Sequence, residues 1–68
     1  MNTKQIYNKL LSGDTIVYKT YSKLYFAQYN GKDLTIQGQD DGYYAPMLSY
    51  NSEELMEFAD SIQNCIVE

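Results

Sequence analysis

The chain has no histidine, no arginine and no tryptophan, and it has one cysteine and one proline. Without histidine, no serine or cysteine has its usual general base, so an enzyme is not expected. Without arginine, the bidentate guanidinium contacts usual at phosphate backbones are missing, which disfavours direct nucleic-acid binding. The single thiol, Cys65, cannot close an internal disulfide, so no oxidising compartment is implied. No stretch approaches the roughly 18 consecutive apolar residues of a membrane span. Residues 1–5 lead into no long apolar run, so no signal peptide is expected and the expected location is cytoplasmic.

What is present is segregated charge and tyrosine. The net charge is -4. Residues 1–34 hold all five lysines and only Asp14 and Asp33, a net +3. Residues 35–68 hold seven acids and no base, a net -7. That half reads either as a solvated surface or as a surface for a basic or nucleic-acid-binding partner. With 68 residues there is room for one domain, residues 1–68. A chain of this size buries only about 60% of its unfolded surface, so a partner or a second copy would add stability.

Asn2 or Thr3 can cap a first helix over about residues 3–12, with Ile6, Tyr7, Leu10 and Leu11 on one side and Gly13 as its stop. Residues 15–21 are β-branched and aromatic and predict a strand, followed by a turn at Ser22-Lys23. Residues 24–29 and 33–37 predict two more strands, joined through Asn30-Gly31, a strong hairpin signal. Asp40-Asp41-Gly42 reads as a turn, and 43–47 as a fourth strand that Pro46 confines to a sheet edge. Asn51 with Glu54 predicts a capping box opening the last helix, whose apolar stripe is Leu55, Phe58, Ala59, Ile62, Cys65 and Ile66. The expected fold is α+β: an antiparallel meander of three or four strands flanked in sequence by an N-terminal and a C-terminal helix.

The hairpin register decides which residues face the core. A two-residue loop sets Ala27 opposite Leu34 and Tyr25 opposite Ile36. A turn with a bulge at Gly31 sets Phe26 opposite Leu34 and Leu24 opposite Ile36. The second is preferred, because it gathers Leu24, Phe26, Leu34 and Ile36 on one face. Ile16 and Tyr18 join them from the first strand. Tyr21, Tyr25 and Tyr29 then lie outside, with Lys19 nearby.

Eight tyrosines supply rigid contact area with polar tips. They read as cross-strand packing, as a protein interface, or as a base-stacking platform. Candidate partner-binding residues are Tyr21, Tyr25 and Tyr29 on the sheet, and Asp40, Asp41, Tyr43 and Tyr44 in the turn before the fourth strand. A third group is Glu53, Glu54, Glu57 and Asp60 on the last helix. No catalytic, metal or cofactor site is expected. The 37–48 stretch has Gln37 and Gln39 where a calcium loop needs Asp or Asn, and Leu48 where it needs its bidentate Glu. The Gly38 to Gly42 spacing lacks the lysine of a phosphate loop.

The leading helix ending at Ser12-Gly13-Asp14, the Asp14-Thr15-Ile16-Val17 entry, the Asn30-Gly31 hairpin and the acidic 53–60 helix together form a pattern. In it the chain resembles small acidic phage or mobile-element proteins of the anti-CRISPR type, which block an RNA-guided nuclease. The likeness runs along the whole chain and carries over no functional residue. It implies a non-catalytic inhibitor of a nucleic-acid-handling protein with a basic groove. The alternative is a structural or self-associating domain that forms a homodimer through its sheet.

Overall fold

A computed structural model describes residues 1–39, 44–47 and 51–67, with backbone only over 44–47. The element order is α1 (Thr3–Leu11), β1 (Ile16–Thr20), β2 (Lys23–Tyr29), β3 (Leu34–Gly38), β4 (Tyr44–Met47) and α2 (Ser52–Ile62). The strands form one antiparallel sheet in the order β1-β2-β3-β4, so the expected α+β meander is present. Pro46 sits on the edge strand β4, where its missing N–H costs least.

Both helices begin with a reciprocal capping box. The Asn2 carboxamide oxygen accepts from the Gln5 N–H, and the Gln5 side-chain oxygen accepts from the Asn2 N–H, both at 2.9 Å. Asn51 and Glu54 repeat the arrangement at 2.8 and 3.1 Å. Each box satisfies N–H groups that the helix itself leaves without partners. Helix α1 ends at Gly13, whose φ of +85° is the left-handed conformation glycine adopts without strain. There the Gly13 N–H donates to the Leu10 carbonyl and the Asp14 N–H to the Lys9 carbonyl, the pair of bonds of a Schellman stop.

The helices pack on each other and on one face of the sheet. Ile6 and Leu10 from α1 meet Leu55, Ala59 and Ile62 from α2 above Ile16, Tyr18, Ala27, Tyr29 and Leu34. Leu11, expected on the apolar side of α1, is half exposed at 51%. The rings of Tyr18 and Tyr25 stack at 5.4 Å, and Phe58 meets Tyr18 edge-on at 6.0 Å.

Register departs from the expectation. Tyr29 pairs with Leu34 and Ala27 with Ile36, so residues 30–33 form a four-residue connection. The cause is Asn30. Its side-chain oxygen accepts from both the Lys32 and Asp33 N–H groups, at 2.9 and 2.7 Å, and its own N–H donates to the Asp33 carbonyl. Asparagine thus builds a side-chain-closed turn that draws Lys32 and Asp33 into the loop. Tyr25, Ala27 and Tyr29 consequently face the helices, and Leu24, Phe26 and Gln28 face the other way. The first turn also moves by one residue: Tyr21 and Ser22, both at positive φ, connect β1 to β2.

The last stretch differs as well. Helix α2 stops at Ile62, and Cys65 and Ile66 do not continue its stripe. Instead the Lys19 N–H donates to the Cys65 carbonyl (2.9 Å), the Val67 N–H donates to the Val17 carbonyl (3.0 Å), and Ile66 bridges Tyr18. The free edge of β1 is covered by this tail, which removes an open template for strand pairing.

Candidate functional site

Two of the three expected surfaces can be placed on this frame. Asp40, Asp41 and Tyr43 lie outside the described residues. Tyr44 begins β4 opposite Gln37.

The acids of α2 are all exposed: Glu53, Glu54, Glu57 and Asp60. Glu53, Glu57 and Asp60 stand at i, i+4 and i+7, along one stripe of the helix. Leu55, Ala59 and Ile62 anchor the opposite side in the core. The geometry separates the four by role. Glu54 is engaged in the capping box with Asn51. One Asp60 carboxylate oxygen accepts from the Thr3 hydroxyl and from the Gln63 side-chain amide, each at 3.0 Å, tying the start of α1 to the end of α2. Glu53 and Glu57 project from the same stripe without such ties. Glu53 in the first turn also suits the positive end of the helix dipole.

The expected outer tyrosine face does not form, because the register is different. Tyr29 is buried at 7% exposure and Tyr25 is half-buried, stacked on Tyr18. Only Tyr21 of the three stands clear, fully exposed on the β1–β2 turn. Its φ of +49°, followed by +67° at Ser22, is a conformation that favours glycine or asparagine, so this tip carries local backbone strain. Among the tyrosines, Tyr18 has its hydroxyl pKa pushed up to about 12, chiefly by burial, with Tyr25 and Cys65 adding to the rise.

Of the residues that the expected register assigned to the core, Leu24 and Phe26 of β2 lie on the opposite face, while Ile16, Tyr18, Leu34 and Ile36 keep the expected side. Pairing across the strands places Thr15, Val17, Lys19, Leu24, Phe26, Gln28, Thr35 and Gln37 on the side away from the helices. Thr15, Phe26, Gln28, Thr35 and Gln37 line a shallow depression of about 250 Å³ there. The Gln28 amide is held at its rim by donation to the Gly13 carbonyl, 3.1 Å away. The signal in the sequence was Asn30, whose side chain can close a four-residue turn and so exchange the faces of β2.

Among the described residues no helix is long and apolar enough to cross a membrane. No group of three or more His, Cys, Asp or Glu among them converges on one point. The chain matches no family model, and neither a curated protein nor a solved structure is significantly similar to it.

Proposed function

We propose that this chain is a non-catalytic binding protein that engages another protein through the acidic stripe of α2. The partner it suits is a nucleic-acid-handling protein with a basic groove. On this reading the chain is a phage or mobile-element inhibitor, of the kind that the anti-CRISPR proteins it resembles represent, acting on an RNA-guided nuclease or a similar enzyme.

The observation that carries the reading is the presentation of Glu53 and Glu57. Both are exposed on a helix already fixed by its capping box and by Leu55, Ala59 and Ile62. A preordered stripe pays little conformational entropy on docking, and its charge steers approach to a basic surface. The absence of histidine from the whole chain supports the non-catalytic part.

The test is capture of a partner from bacterial lysate at low salt, with the native chain and with the double variant Glu53→Lys, Glu57→Lys. Capture that is lost in the variant and weakened by salt supports the reading. Equal capture by both proteins overturns it.

A further inference from the structure

We propose that the open face of the sheet is where two copies of this chain meet. This rests on the sheet's register and is independent of the acidic stripe on α2.

Layering is the first argument. The helices cover one face of the four-stranded sheet. The other presents Val17, Leu24 and Phe26, all half-buried, with Gln28, Thr35 and Gln37 beside them. An apolar centre bordered by uncharged amides and hydroxyls is the composition of an interface core rather than of a solvated surface.

Charge selects the occupant. The chain carries nine acids for five bases. Among the described residues none of those acids lies on this face: Asp14 and Asp33 are outside the strands, and Glu53, Glu54, Glu57 and Asp60 are on α2. Lys19, at one corner, is its only charge among the described residues. Among the described residues, then, two copies meeting here bring no carboxylates into opposition. A basic groove, by contrast, would find no acid to pair with among the described residues of this face. A glutamine amide both donates and accepts, so Gln28 and Gln37 can meet their own counterparts about a two-fold axis.

Edges and area set the mode and strength. The β1 edge is already occupied by the tail through Lys19 and Val17, so face packing is favoured there over strand addition. Twist makes any such sheet saddle-shaped, and a depression of this face is lined by Phe26, Gln28, Thr35 and Gln37. Two saddles crossing face to face seat the ridge of one in the hollow of the other. With strands about 4.8 Å apart and residues about 3.4 Å apart, the face spans roughly 19 by 17 Å. That is about 320 Å² in projection, below the ~800 Å² per partner of a standard interface. The dimer is accordingly a reversible one that forms as concentration rises.

The experiment is sedimentation of the full chain, in reductant, from low micromolar to millimolar protein, with amide chemical shifts followed over the same dilution. The expected result is a mass rising toward twice the monomer, with shift changes centred on Phe26, Gln28, Thr35 and Gln37. Phe26→Lys, which places a charge at the centre of the face, should weaken association at least tenfold while keeping the native circular dichroism. Gln37→Lys gives the same reading if Phe26→Lys does not fold. Asn8→Ala, at an exposed position of α1 and without change of charge, should associate as the native chain does. A monomer at every concentration overturns the proposal, as do an association unchanged by both face variants and shift changes confined to α2. None of these outcomes bears on capture through Glu53 and Glu57.

Discussion

Tyr29 lies directly opposite Leu34 across the β2–β3 hairpin, and both side chains are buried, at 7% and 0% exposure. That one pairing decides the rest of the sheet. It makes Ala27 face Ile36 and turns Phe26 and Leu24 to the side away from the helices. Small Ala27 on the central strand β2 then lies under the helix layer, where α1 contacts both β1 and β2.

The two leucines expected on one face should therefore respond differently to truncation. Leu34→Ala removes a fully buried side chain, which costs about 2–5 kcal/mol. Leu24→Ala acts on a half-buried residue of the open face, at about 1 kcal/mol. Urea unfolding of both variants checks the order, and equal losses would contradict the register.

At the β1–β2 turn, stability and sequence disagree. Left-handed conformations cost residues other than glycine about 1–2 kcal/mol each, less for asparagine, and Tyr21 and Ser22 occupy two in succession. The Tyr21 side chain is fully exposed, so replacing it sacrifices no packing. Tyr21→Asn with Ser22→Gly should therefore stabilise the fold by about 1 kcal/mol. The urea midpoint should rise at unchanged slope; a lower midpoint would show that the turn is held by something other than its backbone geometry.

Much of this architecture was legible beforehand because it is written in local chemistry. Asn51 and Glu54, three residues apart, announced a capping box that is present, and Gly13 announced the stop of α1. Ile16 and Tyr18 were placed inward by alternation alone, and Pro46 put β4 at an edge. Register was not legible in the same way, because the apolar sets on the two faces of β2 are nearly balanced. Leu24 and Phe26 compete with Tyr25, Ala27 and Tyr29, and a hydrogen-bonding choice by Asn30 settles it. The tail was hidden for a related reason. Cys65 and Ile66 satisfy helical spacing, but pairing with the edge of β1 satisfies more of that strand's backbone. Tyr25 and Tyr29 inherited the register error, whereas exposed Tyr21 and the acids of α2 did not, since their placement depends on a turn tip and on helical periodicity.

Neighbouring acids on α2 should separate stability from recognition. Glu54→Ala removes the side chain that accepts from the Asn51 N–H, and should cost about 0.5–1 kcal/mol in thermal or urea unfolding. Glu53→Gln touches an exposed carboxylate, and should change stability by no more than a few tenths of a kcal/mol through the helix dipole. If α2 is the docking stripe, Glu53→Gln weakens partner capture in proportion to its charge while the melting curve stays in place. A variant that loses stability and capture together at Glu53 would assign that residue to the fold instead.

Alkaline pH supplies a probe of the core itself. Tyr18 is buried, and its pKa is raised to about 12 by burial first, then by Tyr25 and Cys65. In the unfolded chain a tyrosine ionises near its ordinary value of about 10. Between these limits the unfolded state has released a proton that the folded state still holds, so stability falls as pH rises. The contribution of Tyr18 is complete below about pH 10 and gone above about pH 12, and amounts to roughly 3 kcal/mol. Urea unfolding across that window should show the decline, and Tyr18→Phe should flatten it, because phenylalanine keeps the ring packing against Tyr25 and Phe58 and has no proton to lose. An unchanged slope in Tyr18→Phe would place the alkaline transition on another group.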